Sequence, residues 1–253
     1  MSRTPFIAGN WKMFTTADEA VALCRAVRER VESLAGVEVA VCPPFIHLER
    51  ARAALEGSRV GLGAQNVHWE EQGAFTGEVS ATMLQGLVQY AIVGHSERRQ
   101  YFCETDATVN GRLKAAIAHG LTPIFCIGET REEREAGRTQ EVLSRQVRDG
   151  LAGVPWAGAC VIAYEPVWAI GTGLAATSAQ ANEAIGYIRG LVRELFGAAV
   201  GDATRIQYGG SVKADNAAEF LAQPEVDGAL VGGASLDAEA FAAIARAAAR
   251  TRT

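Results

Sequence analysis

The sequence predicts an α/β protein, a single (β/α)8 barrel domain with a parallel eight-stranded core that spans residues 1–253. Three observations lead there: eight short β-rich runs recur, segments with helical spacing or caps follow them, and no Pro/Ser-rich linker interrupts the series. Divided among eight units, 253 residues give about 32 residues each, which suits a βα repeat. Strands that are apolar almost throughout favour a parallel sheet covered by helices, and eight units favour a closed barrel over an open doubly wound sheet.

The eight predicted strands are short runs rich in β-forming residues. In chain order they read "PFIAGN", "VEVAVC", "VGLGAQN", "YAIVGH", "TPIFCIGE", "CVIAYE", "RIQYGG" and "GALVGG". The segments between them predict amphipathic helices, because apolar residues recur every three to four positions, as at Ala20, Leu23, Val27 and Val31. The charged run at residues 131–138 predicts a solvated helix face.

The composition argues against several classes of protein. With 49% hydrophobic and 21% charged residues the chain can bury a globular core, and its net charge of −5 argues against a nucleic-acid partner. Its five cysteines are widely spaced and form no CxxC pair, which argues against a disulfide framework or a zinc site. No stretch approaches the roughly 20 apolar residues of a membrane span. We therefore expect a cytoplasmic protein with no membrane partner and no bound metal.

Polar residues and glycines follow several predicted strands. Because the carboxyl ends of parallel strands meet at one face of a barrel, residues far apart in sequence become neighbours there. Asn10 ends the first predicted strand and Lys12 lies just beyond it, His95 ends the fourth, and Glu165 ends the sixth. The pairs Gly209-Gly210 and Gly232-Gly233 end the last two, with Ser211 following the first pair. The sequence therefore predicts one site that combines a carboxylate, an imidazole, a cation and two glycine pairs.

Glu165 ends an apolar run, where a bare carboxylate is costly unless a partner or a role compensates its desolvation. Pro166 follows directly, and Gly171 and Gly173 come a few residues later, a pattern typical of a loop that closes over a site. Taken alone, Glu165 is more often a helix cap or a salt-bridge partner than a catalytic group. The adjoining loop favours a base that works in a site shielded from water.

His95 precedes "SERRQYF", where His95 or Ser96 could cap a short helix whose N-terminal dipole disfavours the imidazolium form. A structural role for His95 and an outward-pointing Lys12 are equally compatible with their positions.

At the glycine pairs, free backbone amides without neighbouring Cβ atoms favour phosphate binding, although a tight turn explains either pair alone.

The longest connection from a strand to a helix runs from Gln65 to Ser80 and carries Val67, Trp69 and Phe75. Apolar residues on a protruding loop are typical of an interface, so we expect a homodimer contact here. The alternative is a loop that folds back onto its own barrel.

Six segments together make the chain similar to the triosephosphate isomerase family. They are "GNWKM", "GAFTGEVS", "VGHSERR", "CIGE", "YEPVWAIGTG" and "YGGSV", in this order, within a resemblance that extends from Phe6 to Leu236. The resemblance implies a TIM barrel that interconverts dihydroxyacetone phosphate and D-glyceraldehyde 3-phosphate in glycolysis and gluconeogenesis, through an enediolate and without a cofactor. Within it Glu165 would be the base, neutral His95 would polarise the carbonyl, and Lys12 would supply positive charge. Asn10 would help to orient them.

The resemblance also implies a phosphate site under the closing loop. The amides that would hold the phosphate are those of Gly171, Ser211, Gly232 and Gly233. Glu97, next to Ser96, would position Lys12 as a supporting residue. The chain departs from the family at Phe14, where Asn is common, and at Leu174, where Lys is common; these departures bear on local packing and on the hinge of the loop.

Other interpretations remain open at this point. A different phosphate-binding barrel, such as an aldolase, would share the glycine pairs, but a Schiff-base aldolase needs a strand-embedded lysine, and Lys12, Lys114 and Lys213 lie outside the predicted strands. A non-catalytic barrel would be favoured by the loss of Glu165 or His95, and both are present. Cys126 is either a reactive thiol or, as its strand position favours, a buried small residue.

Overall fold

The computed structural model of the chain describes residues 3–155, 160–170 and 176–251. Eight parallel strands form a closed barrel in chain order, which confirms the predicted fold. Each of the eight predicted runs contains one strand. The strands are β1 (Phe6–Asn10), β2 (Glu38–Cys42), β3 (Gly61–Ala64), β4 (Tyr90–Val93), β5 (Thr122–Ile127), β6 (Val161–Tyr164), β7 (Arg205–Tyr208) and β8 (Gly228–Val231).

The barrel closes where β1 pairs with β8. Phe6 of β1 lies opposite Glu38 of β2 on one side and Gly228 of β8 on the other. Next to this closure, the buried side chain of Gln207 on β7 donates a hydrogen bond from Nε2 to the Phe6 carbonyl at 2.9 Å. A side chain therefore supplements the backbone ladder near the point of closure.

Helices follow the strands and cover the outside of the barrel. Within the described residues they are α1 (Ala17–Val31), α2 (Leu48–Ala54), α3 (Ala81–Leu84), α4 (Ser96–Tyr101), α5 (Asp106–Ala118), α6 (Arg131–Glu135), α7 (Thr139–Gly150), α8 (Ser178–Phe196), α9 (Ala198–Ala203), α10 (Ala217–Leu221) and α11 (Ala238–Arg250). None of these helices is long and apolar enough to cross a membrane.

Threonine side chains fix where several helices begin. In each case the hydroxyl accepts the amide of the third helical residue, whose side chain accepts the amide of the threonine in return. The four threonines are Thr16, Thr105, Thr130 and Thr177. This arrangement satisfies amides that a helix start otherwise leaves unpaired.

The helices bury one face against the strands. In α1 the buried positions are Ala20, Cys24, Val27 and Val31, whereas Leu23 is half-buried. The predicted spacing is therefore confirmed except at one position, where Cys24 and not Leu23 is buried in the core. The charged run at residues 131–138 contains α6 and is mostly exposed, as predicted.

The closure at Gly228 gives a stability prediction. Gly228 has a φ of +145°, and a Cβ atom there would lie 1.9 Å from the Phe6 carbonyl oxygen. We expect Gly228→Ala to lower the free energy of unfolding by roughly 3 kcal/mol or more, because the β1–β8 pairing must shift. Urea unfolding followed by circular dichroism measures this change.

The matched control is Gly190→Ala within α8, where a Cβ atom would have no neighbour within 4 Å. There we expect a gain of about 0.5–1 kcal/mol, since alanine favours a helix over glycine. Equal unfolding midpoints for the two variants would contradict the steric argument at Gly228.

Candidate active site

The carboxyl ends of the strands surround a cavity of about 710 Å³. Nine of the predicted site residues line it: Asn10, Lys12, His95, Glu165, Gly209, Gly210, Ser211, Gly232 and Gly233. Ser96 and Glu97 line an adjoining cavity that shares Glu165. Gly171 lies outside the described residues. The closed barrel thus brings together residues at, or just beyond, the carboxyl ends of β1, β4, β6, β7 and β8.

Glu165 lies directly after β6 and is only 2% exposed. Its backbone amide donates to the Ile127 carbonyl at 2.7 Å, which continues the β5–β6 ladder by one residue. One carboxylate oxygen accepts a hydrogen bond from the Ser96 amide at 2.9 Å. The other lies 2.9 Å from His95 Nε2. A buried carboxylate with two donors has its desolvation partly compensated.

Two glycines make room for Glu165. A Cβ atom at Gly128 would lie 1.7 Å from the Glu165 carbonyl oxygen, and one at Gly209 would lie 2.9 Å from Glu165 Cγ. Gly209 also donates its amide to the Tyr164 carbonyl at 2.7 Å. Gly209 therefore lies against Glu165, whereas the sequence suggested phosphate binding or a tight turn as the role of this glycine pair. Gly128 was not among the predicted site residues, although it belongs to the "CIGE" segment.

His95 caps α4, as the sequence suggested. Its Nδ1 accepts a hydrogen bond from the Glu97 amide at 3.2 Å. A ring nitrogen that accepts a backbone amide carries no proton, so the proton of the neutral ring is on Nε2, which points at Glu165. The helix start therefore fixes the tautomer of the ring as well as its position.

The pKa values of His95 and Glu165 depend on each other. Burial lowers the pKa of His95, but the carboxylates of Glu165 and, to a smaller extent, Glu97 raise it, and the net direction is upward. Burial raises the pKa of Glu165, but His95, the Ser96 amide and Lys12 together bring it below its ordinary value. The expectation of a disfavoured imidazolium is thus wrong for this arrangement, because a carboxylate remote in sequence touches the ring.

Lys12 turns into the cavity and not outward. Its φ is +52°, in the left-handed region that non-glycine residues rarely adopt. The Lys12 amide donates to Asn10 Oδ1 at 3.0 Å, and the Gln65 side chain donates to the Lys12 carbonyl at 2.8 Å. Lys12 Nζ then reaches Glu97 Oε1 at 2.6 Å. These contacts hold a strained backbone and place a cation beside the imidazole.

The second glycine pair lies in a short turn. Gly232 precedes a 3-10 turn (Gly233–Leu236), and the helix predicted in "SLDAEAF" begins later, at Ala238 of α11, with Asp237 as its cap. The amides of Gly232 and Gly233 therefore belong to this turn and not to the first turn of a long helix. A Cβ atom at Gly232 would lie 3.5 Å from Lys12 Cε, which places this turn next to the cation.

The start of the predicted lid is held by Glu129, which is fully buried. Trp168, within a 3-10 turn (Val167–Ala169), donates from Nε1 to Glu129 Oε1 at 2.9 Å, and the Tyr164 hydroxyl donates at 3.1 Å. Arg134 stacks over the Trp168 ring at 4.3 Å. The rest of the predicted lid, residues 171–173, lies outside the described residues. Sequence reasoning missed Glu129, although it ends the "CIGE" segment.

The loop from Gln65 to Ser80 fills the gap between β3 and α3, as predicted. Its apolar residues divide into two sets: Val67 is buried, whereas Trp69 and Phe75 are partly exposed. His68 packs between the Trp69 and Phe75 rings, at centroid distances of 4.2 and 4.5 Å. The base of the loop therefore folds against its own barrel while its aromatic part stays accessible.

The remaining predictions concern single residues. Phe14 is exposed and Leu174 lies outside the described residues. Cys126 is completely buried, and burial raises the pKa of its thiol well above the ordinary value, which favours a packing role over a reactive one. Across residues 3–155, 160–170 and 176–251, no three His, Cys, Asp or Glu side chains form a group that could hold a metal ion.

The chain is similar to known proteins over almost its whole length. The family model described as triosephosphate isomerase matches residues 5–248. The triosephosphate isomerase of Carboxydothermus hydrogenoformans is 56% identical over 247 residues, which cover 96% of this chain and 98% of the relative. That of Moorella thermoacetica is 57% identical over 245 residues, with coverages of 96% and 98%. That of Clostridium perfringens is 55% identical over 245 residues, with the same coverages.

The contact between Glu165 and His95 gives a pH prediction. We expect Glu165→Gln to lower the pKa of His95, because the largest charge that favours imidazolium is removed while burial and Lys12 still oppose it. An NMR titration of the labelled His95 ring measures the shift.

Glu97→Gln serves as the comparison variant, because Glu97 Oε2 lies 3.7 Å from His95 Nδ1. It should lower the pKa of His95 less than Glu165→Gln does. If the pKa of His95 were unchanged or raised in Glu165→Gln, another group would determine it.

Proposed function

The chain belongs to the triosephosphate isomerase family, and we propose that Glu165, His95 and Lys12 carry out its reaction, the interconversion of dihydroxyacetone phosphate and D-glyceraldehyde 3-phosphate. This reaction is a step of glycolysis. One observation carries the assignment of residues: a buried carboxylate, an imidazole whose Nε2 lies 2.9 Å from that carboxylate, and a cation line the same cavity. The family match favours this function over an aldolase or a non-catalytic barrel.

The proposed chemistry is a proton transfer between adjacent carbons. Glu165 removes a proton from the carbon beside the carbonyl, and the C–H electron pair forms the C=C bond of an enediolate. His95 polarises the carbonyl through Nε2–H and exchanges protons with the two oxygens of the intermediate, while Lys12 offsets their negative charge. Glu165 then returns its proton to the neighbouring carbon. Protons and electrons balance without an added reactant.

Substrate binding must first separate Glu165 from His95. In the present arrangement the Glu165 carboxylate occupies the Nε2 donor that a substrate oxygen needs. When the carboxylate leaves His95 and the Ser96 amide, two causes of its lowered pKa disappear while burial remains. Glu165 then becomes a stronger base at the moment when substrate is present. The pKa of His95 falls at the same time, which favours the neutral ring that the resemblance implies.

The phosphate group is proposed to lie beyond Lys12, against the amides of Ser211, Gly232 and Gly233. These residues line the same cavity, and the two glycines present backbone without Cβ atoms. Gly171 and the closing loop complete this proposal on the resemblance alone. Asn10 orients Lys12 by accepting its backbone amide, and Glu97 orients it by pairing with its Nζ.

The assembly and the cellular location are also proposals. Large apolar side chains are exposed on the loop from Gln65 to Ser80 and on other described segments, which supports a homodimer. They include Met13, Phe14, Ile46, Trp69, Phe75, Met83 and Phe102. All five cysteines are free thiols, and Cys103 is exposed, which supports a reducing cytoplasmic location. We propose that residues 1–253 form one domain.

The function is tested by the rate of D-glyceraldehyde 3-phosphate isomerisation, compared between the unaltered chain and Glu165→Gln. We expect the variant to lose about a hundredfold or more in kcat, because a positioned acid–base group contributes 10²–10⁴-fold. Glu141→Gln, an exposed position on α7, is the control and should keep full activity. Circular dichroism must show that all three proteins are folded. Equal rates in the unaltered chain and Glu165→Gln would remove Glu165 from the mechanism.

The homodimer is tested by placing a charge on the exposed loop. Phe75 is 43% exposed, and we expect Phe75→Glu to shift the protein from dimer to monomer, because a buried unpaired carboxylate opposes association. Leu195→Glu on α8, at 38% exposure, should leave the assembly unchanged. Sedimentation equilibrium of the three proteins measures this. A monomeric unaltered chain, or dimers of Phe75→Glu, would contradict the proposed contact.

A further inference from the structure

Asn216 directs its side chain away from its own helix. It occupies the position before the first residue of α10, where asparagine usually accepts an amide of the first turn. Instead, its Oδ1 accepts the Lys213 amide at 2.8 Å, and its Nδ2 donates to the Ser211 carbonyl at 3.1 Å. The side chain therefore binds both ends of residues 211–213.

The segment that Asn216 holds needs an external restraint. It follows Gly209 and Gly210, which lack side chains that could limit the backbone. A Cβ atom at Gly210 would lie 2.2 Å from the Tyr208 hydroxyl, so a more rigid residue has no room there. Residues from Gly209 to Asp215 line the cavity. The orientation of the backbone amides in this stretch thus depends on bonds made from outside it.

We propose that Asn216 is a positioning residue for phosphate binding. Its amide group fixes the two peptide planes that follow Ser211, between residues 211 and 212 and between residues 212 and 213. Ser211 is thereby restrained from its C-terminal side, and with it the preceding peptide, which presents the Ser211 amide to the phosphate. Asn216 itself touches neither the substrate nor the reacting atoms. This inference rests on the proposed function, because it requires the phosphate of the substrate to lie against Ser211.

The test compares a substrate with phosphate and one without it. In Asn216→Ala both hydrogen bonds are lost, so KM for D-glyceraldehyde 3-phosphate and the inhibition constant of inorganic phosphate should each rise about tenfold. The value of kcat/KM for phosphate-free D-glyceraldehyde should change by less than about twofold, because Glu165, His95 and Lys12 keep their places. A purely structural role would lower activity on both substrates together.

Two further variants keep the test decisive. Asn182→Ala is the matched control, because Asn182 also accepts a loop amide, that of Glu225 at 3.0 Å, and should leave both substrates unaffected. Asn216→Leu keeps the branched shape of the side chain, adds no charge and loses both hydrogen bonds. It should also weaken phosphate binding selectively, and it decides the matter where Asn216→Ala does not fold.

The outcomes separate this inference from the proposed function. Equal losses on the two substrates, or an unchanged inhibition constant of inorganic phosphate, would overturn the role of Asn216. An unaltered chain that does not isomerise triose phosphates would overturn the proposed function instead. In that case the affinity for inorganic phosphate, compared between the unaltered chain and Asn216→Leu, still tests the role of Asn216.

Discussion

The buried carboxylate of Glu165 is the constraint on which the site depends. A carboxylate so far removed from water requires donors, and it finds them in the Ser96 amide and in His95 Nε2, both at 2.9 Å. Those donors exist only because α4 begins where it does, with His95 as its cap. Close approach of β5 and β7 to the Glu165 residue requires Gly128 and Gly209. Barrel packing and site chemistry therefore share the same residues.

Glu97 joins the two positively polarised groups of the site. Its side chain binds Lys12 Nζ at 2.6 Å, while its backbone amide donates to His95 Nδ1 at 3.2 Å. One residue thus fixes the position of the cation and the tautomer of the imidazole. Lys12 is also held from the opposite direction, because Asn10 and Gln65 bind its backbone in a left-handed conformation. Cation and imidazole are therefore preorganised as a pair.

The sequence predicts what local patterns determine. Eight strands, the helix after His95 and the extent of the loop from Gln65 follow from periodicity, caps and glycines. Contacts between remote segments do not follow, because they depend on strand register: Gln65 reaches the Lys12 carbonyl across 53 positions, and the Ser96 amide reaches Glu165 across 69. The predicted direction of the His95 pKa shift is wrong for this reason. The sequence indicates the helix start at His95, but it does not show that the Glu165 carboxylate contacts the ring.

The resting arrangement and the reactive arrangement place opposite demands on Glu165. Bound to two donors, the carboxylate is stabilised and its pKa is lowered, which makes it a poor base. When the carboxylate moves to the substrate it loses those hydrogen bonds, and contact with the reacting carbons alone does not compensate the lost free energy. A phosphate group held at the ends of β7 and β8 can supply binding energy remote from the reacting carbons. Because Gly209 lies against Glu165 and begins the stretch that ends at Asn216, the residues proposed to hold the phosphate adjoin the proposed base.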